Sequence, residues 1–369
     1  MSAGSTGVSR LAGIDTLRGF AAAAVFVCHM VAYWPSLMLP GKLTEVTVWG
    51  AYGVDIFIVI SGFCLMMPVV YSEGQLSVGQ FYGRRAWRIL PAYWVALAIA
   101  AVLAMSPVTA ALVVGEPATI GDVVIHAVGM QTWVPPTLGS INGSLWSVSL
   151  EIQLYIVFPL LIVLWRKWGI APILIGAALL SLAWSLIGQT GVAGPFVGDG
   201  HALPARLMQF AAGMACAVAV VRGRAPRGAI GLAAAVVGGV VGAVASVLEW
   251  PEVARLAIWA LVGVGLILWV NELGRGGKML RPLESFGARS YSFYLLHQPI
   301  LLLAAPLVAL IPGGWIPKVL VGGTLAFAAV TGAAALLYRW VELPSHRLGR
   351  RFFPRPTPRS ILPSPAQTL

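Results

Sequence analysis

A histidine and an arginine stand in the first long apolar stretch of the chain, "LRGFAAAAVFVCHM" at residues 17–30. Arg18 and His29 are eleven positions apart, which on an α-helix puts them on one face, about 16 Å apart along the axis. Asp15 and Tyr33 fall on the same stripe. A neutral imidazole can take a proton from a hydroxyl, and an arginine can bind a phosphate. The spacing therefore indicates a histidine base and a cation along one wall of a polar path.

Two carboxylates occur in other apolar stretches. Asp55 lies in "YGVDIFIVISGF", and Glu151 lies in "NGSLWSVSLEIQLYIVFP". Ser147, Glu151 and Tyr155 recur every four residues, so they share a helix face. Counting along the helices predicts that His29, Asp55 and Glu151 reach a similar depth in the outer half of the membrane. Because a carboxylate can orient an imidazole and stabilise its protonated form, Asp55 and Glu151 are candidate catalytic residues.

A second histidine follows in "SYSFYLLHQP". Tyr294 and His297 are three positions apart and face the same way on a helix. With this span running outward, His297 is expected in the inner half of the membrane, nearer the level of Arg18. Together with Ser147 and Tyr155, these two residues are candidate substrate contacts.

Each of these residues also has a structural interpretation. Arg18 can snorkel to the surface, His29 can be a packing histidine, and Asp55 can cap a helix or form an ion pair. Ionisable groups at membrane depth are costly, which favours a functional or pairing role for His29 and Glu151. The remaining histidines fall in linkers or in the basic tail, and we interpret them as surface residues: His126, His201 and His346.

Membrane-spanning helices must position these side chains. The chain has 369 residues, 59% of them hydrophobic and 10% charged, whereas soluble domains have about 25% charged residues. No alternating strand pattern is visible, so a bundle of helices is favoured over a barrel. We predict an all-α, polytopic transmembrane bundle of ten spans. Their approximate bounds are 12–34, 50–71, 87–106, 145–165, 170–188, 203–221, 228–248, 254–272, 288–311 and 316–338.

Basic residues alternate between the linkers of these spans. Arginine and lysine concentrate before the first span and after each even-numbered span. This pattern predicts that both termini are cytoplasmic. It also explains the net charge of +11 without a nucleic-acid partner. We expect one transmembrane domain over residues 1–347 and a basic, proline-rich, disordered cytoplasmic tail over 348–369.

No phosphate-binding loop, serine nucleophile motif or metal-ligand set is present in the sequence. Direct group transfer with a histidine as general base is then the simplest enzymatic chemistry. Arg84, Arg85 and Arg88 form a basic cluster between the second and third predicted spans. The cluster suits a phosphate-bearing donor, although it could instead be only a topology signal.

Six segments together resemble the integral-membrane acyltransferase-3 family. They are "LRGFAAAAVFVCH", "GVDIFIVISGF", "FYGRRAWRILPAYW", "SLWSVSLEIQLYIVFPL", "YSFYLLHQPI" and "VELPSHR". They occur in the family's order across residues 17–347. Members move acyl groups from acyl-CoA to sugar hydroxyls, and this chain resembles the stand-alone type without an extracytoplasmic domain.

The resemblance implies that His29 is the catalytic base and Arg18 its essential partner. It implies that Asp55 and Glu151 support the base or hold the acceptor. It makes three arginines the candidate contacts for the CoA phosphates: Arg84, Arg85 and Arg88. The implied substrates are an acyl-CoA, most simply acetyl-CoA, and a sugar or glycosylated acceptor, with no metal. The implied location is the cytoplasmic (inner) membrane.

Two other functions fit a polar path through a bundle. A transporter or flippase of a lipid-linked sugar or small acid would use the same path without forming an ester. The sequence lacks the internal repeat and paired broken helices typical of many transporters. A membrane scaffold is the second alternative, and the ionisable residues at membrane depth weigh against it.

Overall fold

The computed structural model describes residues 12–192, 194, 196–273 and 281–354. Across these ranges the chain is helical and forms no strand, which confirms the predicted all-α class. The helices are α1 Ala12–Tyr33, α2 Gly41–Val48, α3 Gly53–Tyr71, α4 Val78–Met105, α5 Pro107–Val113, α6 Ile120–Ala127, α7 Trp146–Trp168, α8 Ile170–Gln189, α9 Leu203–Val221, α10 Gly228–Val247, α11 Glu252–Leu273, α12 Arg281–Gly287, α13 Ser290–Ala309, α14 Trp315–Pro317, α15 Thr324–Leu337 and α16 Leu343–Phe352.

Ten helical segments of the described chain are long and apolar enough to cross a membrane, as predicted. The second begins at Gly41, because α2, a short 3-10 turn and α3 follow one another directly. The last runs from Trp315 to Phe352, and π-helical turns at Lys318–Gly323 and Tyr338–Glu342 join α14, α15 and α16. The count is therefore confirmed, whereas several boundaries differ.

The placement of the basic cluster in a linker was wrong. α4 begins at Val78, so Arg84, Arg85 and Arg88 lie within a helix. Arginine is a good helix former, and its long stem lets a helix extend past the apolar layer. A 28-residue helix is about 42 Å long, which exceeds the thickness of the hydrocarbon core.

The boundary placed at residue 347 also differs from the structure. α16 continues to Phe352, and its aromatic end packs on α4, with the Phe352 ring 6.0 Å from the ring of Trp87. Gly349 permits this approach, since a Cβ there would lie 2.6 Å from Cβ of Trp87. The first residues of the expected disordered tail are thus helical. The rest of that tail, from 355 onward, lies outside the described residues.

Small residues allow a close contact between α3 and α9. A Cβ on Gly62 would collide with the carbonyl oxygen of Phe210, and one on Gly213 would collide with that of Val59. Such backbone contact is how membrane helices gain packing energy without a hydrophobic driving force. The two helices run parallel, because Asp55 near the start of α3 meets Arg206 near the start of α9. This direction is the expected one, because successive spans alternate in direction and the second and sixth spans are both even-numbered.

α1 and α13 also run side by side, and glycines set their register. Gly19 lies against Phe286 and Gly287, and Gly287 itself approaches the carbonyl oxygen of Asp15. Gly287 is the last residue of α12, and α13 begins three residues later, so the start of α13 is held beside the first half of α1. Ten residues further along, α13 reaches the level of His29.

The long linker between α4 and α7 folds as α5, α6 and short 3-10 turns. His126 on α6 is fully buried, which corrects its interpretation as a surface residue. Its backbone carbonyl accepts a 2.6 Å hydrogen bond from Tyr93 Oη, and its Nδ1 lies 2.9 Å from the carbonyl oxygen of Asp122. Burial lowers the pKa of His126, although the Asp122 carbonyl partly offsets this.

Candidate active site

Two histidines from different helices form the centre of the site. Nδ1 of His29 on α1 lies 2.7 Å from Nε2 of His297 on α13. The two ring planes are nearly parallel, at 6°, with their centres 5.0 Å apart. The Tyr33 ring stacks on His29, with the ring centres 5.2 Å apart. His297 is 1% exposed, whereas His29 is only half-buried. His29 is therefore the accessible member of the pair.

Hydrogen-bond chemistry assigns the protons of this pair. Nδ1 of His297 lies 2.5 Å from the carbonyl oxygen of Tyr294, and because a carbonyl only accepts, this nitrogen carries the hydrogen. In a neutral ring, Nε2 of His297 is then an acceptor, so His29 must donate from its Nδ1. The remaining nitrogen of a neutral His29, Nε2, is left with a lone pair. A general base needs such a lone pair.

The expectation that His297 lies near the level of Arg18 was wrong. The prediction counted depth from the start of the predicted ninth span at 288. The contact of Gly287 with Asp15 instead holds the start of α13 beside a point already inside α1. His297 therefore reaches the depth of His29.

The start of α7 is joined to α13 next to the histidine pair. Ser147 Oγ donates to Tyr294 Oη at 2.8 Å, and Tyr294 Oη donates to the Ser144 carbonyl at 2.9 Å. The amide of Ser144 donates to Oε1 of Gln298 at 2.6 Å. Three of the four predicted substrate contacts, Ser147, Tyr294 and His297, thus lie together.

The fourth predicted contact, Tyr155, belongs to a second cluster further along α7. Its hydroxyl donates a short hydrogen bond to Oε1 of Glu151, which also accepts from Ser61 Oγ at 3.3 Å. The guanidinium of Arg85 lies 5.7 Å from the centre of the Tyr155 ring. Arg88 interacts electrostatically with both Tyr155 and Glu151. Glu151 is therefore engaged by hydroxyls and arginines, and among the described residues none of its hydrogen-bond partners is a histidine.

Glu342 completes this second cluster, and the sequence did not point to it as a site residue. Its Oε2 accepts a 2.5 Å hydrogen bond from Ser292 Oγ, and it interacts electrostatically with Arg88 and Arg18. Arg18 itself forms a 3.6 Å ion pair with Asp15. The sequence signal that could have identified Glu342 is its position at the end of an apolar span, where a carboxylate needs a cationic partner.

The three arginines of α4 do not act as one group. Arg84 donates from Nη1 to the carbonyl oxygens of Phe353 and Pro354, both at 3.1 Å. Arg85 and Arg88 instead face Glu151 and its neighbours. The predicted phosphate cluster is therefore divided between the C-terminal segment and the bundle interior.

Asp55 has its own partners, which sequence reasoning missed. Its Oδ1 accepts from Arg206 Nη1 and from Gln209 Nε2, each at 2.5 Å. Both charged residues are buried, at 3% and 7% exposure. Arg206 also stacks on Trp146, 5.2 Å from its ring centre. His29, Asp55 and Glu151, which were predicted at a similar depth, thus belong to three separate sets of contacts.

Comparison with known proteins identifies the family. The model of the acyltransferase domain, Acyl_transf_3, matches residues 11–339. The chain belongs to this acyltransferase family. The match covers nearly all ten spans, both histidines of the site and five of the six segments, so the resemblance to the family is confirmed.

Three curated relatives illustrate the range of the family. The chain is 28% identical to acyltransferase MdmB of Streptomyces mycarofaciens, over 97% of this chain and 96% of the relative. It is 29% identical to the exopolysaccharide production protein ExoZ of Rhizobium meliloti, over 82% and 91%. It is 25% identical to the peptidoglycan O-acetyltransferase OatA of Listeria monocytogenes, over 91% of this chain but 56% of that protein. No solved structure matches the chain significantly.

Proposed function

We propose that this acyltransferase moves an acyl group from acyl-CoA to a hydroxyl of a sugar or glycosylated acceptor. The names of two relatives, a peptidoglycan O-acetyltransferase and an exopolysaccharide production protein, support a carbohydrate acceptor. The same O-acetyltransferase name supports acetyl as the acyl group. The observation that carries the chemistry is the hydrogen-bonded chain from His29 through His297 to the Tyr294 carbonyl.

His29 Nε2 is the general base of the reaction. It takes the proton of the acceptor hydroxyl while the hydroxyl oxygen attacks the thioester carbonyl carbon. A C–O bond forms, the C–S bond breaks, and the proton on His29 passes to the departing CoA thiolate. General bases of this kind contribute about 10²–10⁴-fold in rate.

His297 is a positioning residue. By accepting the hydrogen from Nδ1 of His29, it selects the tautomer whose Nε2 can accept a proton. The Tyr294 carbonyl fixes His297 in turn, in the way that the partner of one ring nitrogen determines the role of the other. Ser147 lies in the first turn of α7, and its hydrogen bond to Tyr294 holds this turn next to the histidine pair.

The donor approaches from the side of the Glu151 cluster. Arg85 and Arg88 are the two arginines of α4 that face the interior, so we assign them to the donor. Arg84, which binds the backbone of the C-terminal segment, is assigned to holding that segment. The alternation of basic linkers supports cytoplasmic termini, a cytoplasmic donor side and location in the cytoplasmic membrane.

Ester formation separates this function from transport. The purified protein in detergent is incubated with acetyl-CoA carrying a labelled acetyl group and with a panel of peptidoglycan fragments and oligosaccharides. We expect stoichiometric release of CoA thiol and labelled ester for at least one acceptor. Binding of acceptor without ester from any acyl-CoA would contradict acyl transfer and favour the transporter.

A further inference from the structure

A cleft of about 540 Å³ lies where three membrane helices end on the same side of the bundle. It is bordered by the end of α3, at Val70 and Glu73, and by the end of α9, at Val221 and Arg222. From α7 it is lined by Trp165, Arg166 and Gly169. These are the second, fourth and sixth spans. Arg166 lies in the last turn of α7 and Arg222 directly follows α9.

The cleft has an excess of positive charge. Arg166 and Arg222 line it together with a single carboxylate, Glu73. In the described part of the chain, neither arginine has a carboxylate oxygen within 4 Å. The two cleft arginines are therefore available to an anion.

The rest of the cleft is apolar. Val70 and Val221 line it beside Trp165, which is 7% exposed, and the guanidinium of Arg222 lies 5.9 Å from the Trp165 ring. A topology signal requires only charge in a linker. A concave site that combines guanidinium groups with an apolar floor matches a ligand that is anionic at one end and apolar at the other.

We propose that this cleft binds the phosphate headgroup of an anionic membrane phospholipid, with Arg166 and Arg222 as the phosphate contacts. Guanidinium groups bind phosphate oxygens in a bidentate manner. Val70, Val221 and Trp165 contact the glycerol and the first methylenes. The proposal does not depend on acyl transfer, since the cleft is lined by none of the residues of the histidine pair or the Glu151 cluster.

Lipid binding tests the site directly. The full-length protein, delipidated in detergent, is titrated with phosphatidylglycerol or phosphatidylcholine and followed by native mass spectrometry. The test variant carries Arg166→Gln and Arg222→Gln. The control carries Arg350→Gln and Arg351→Gln, which removes two exposed arginines of α16 and the same charge. We expect wild type and control to prefer phosphatidylglycerol, and the test variant to lose affinity for it at least tenfold.

A second variant and a second ligand keep the result decisive. Val221→Trp fills the cleft without changing its charge, and we expect it to lower phosphatidylglycerol affinity as well. If both cleft variants bind phosphatidylglycerol as tightly as the control does, the proposal is overturned. Displacement of the lipid by adenosine 3′,5′-bisphosphate at similar affinity would also overturn it, because the cleft would then hold the nucleotide end of CoA. If neither this nucleotide nor inorganic phosphate displaces phosphatidylglycerol, the result supports a lipid site.

Discussion

The buried ion pair of Asp55 and Arg206 gives a prediction that separates structural from catalytic roles. Both residues are almost inaccessible, and Asp55 Oδ1 accepts from Arg206 and Gln209. Asp55→Asn keeps the shape and an acceptor oxygen but leaves the Arg206 cation buried without its counter-charge. Removing one partner of a buried pair costs about 3–5 kcal/mol. We expect the retained acceptor to keep the loss near the lower value, about 3 kcal/mol.

The double variant Asp55→Asn, Arg206→Met removes both charges. It still loses the hydrogen bond from Arg206 Nε to the Gly200 carbonyl, which is worth about 1 kcal/mol. We therefore expect the double variant to be destabilised by about 1–2 kcal/mol, less than Asp55→Asn alone. The free energy of unfolding is measured by titration with SDS in mixed micelles, and acyl transfer is measured on the same preparations.

Two results would refute this reasoning. Asp55→Asn within 0.5 kcal/mol of wild type, the range of ordinary surface changes, would show that the pair does not hold α3 to α9. A double variant with restored stability but no acyl transfer would show that one of the two residues acts in the chemistry and not only in holding the helices. Recovery of both stability and activity would assign Asp55 to positioning these helices.

Three further predictions follow from particular contacts. Gly213→Ala should destabilise the protein, because its Cβ would meet backbone of α3, whereas Gly239→Ala, which meets nothing within 4 Å, should be neutral or slightly stabilising; thermal unfolding of the two variants compares them, and equal losses would contradict the packing. The pKa of His126 in the folded protein is below its ordinary value of about 6.5, so the unfolded chain binds more protons and the free energy of unfolding should fall as pH drops through 6.5. A His126→Gln variant should lose this pH dependence. An unchanged dependence in that variant would assign it to another group. His297→Leu should lower acyl transfer about 10²–10⁴-fold by releasing the His29 tautomer, as disruption of an orienting partner does, whereas His297→Gln retains an acceptor oxygen and should recover part of the rate; equal activity of the two variants would remove the positioning role.

The number of spans and their order were predictable, since each span needs about 20 apolar residues and the ten stretches are separated by charged linkers. The residues at which the helices begin and end were less predictable. Arginines on α4 and α16 are compatible with a helix that extends beyond the apolar layer, so charge alone does not mark where a helix stops.

The individual site residues could be selected from the sequence, because ionisable groups in apolar stretches are costly and conspicuous. Their pairing could not be predicted. His29 meets His297 across 268 positions and Asp55 meets Arg206 across 151. Both contacts depend on glycine-mediated helix registers, at Gly287 and at Gly213, which periodicity within one helix does not encode.

The role of His29 is tested most directly by the rate of ester formation from acetyl-CoA in a folded His29→Gln variant. Its folding is checked by the same SDS titration as wild type. A Val27→Ala variant, which changes an exposed side chain of α1, serves as a control in the same preparations. The mechanism predicts a loss of about 10²–10⁴-fold, the contribution of a general base, with acetyl-CoA binding retained. A rate equal to that of wild type would show that another group takes the proton of the acceptor hydroxyl.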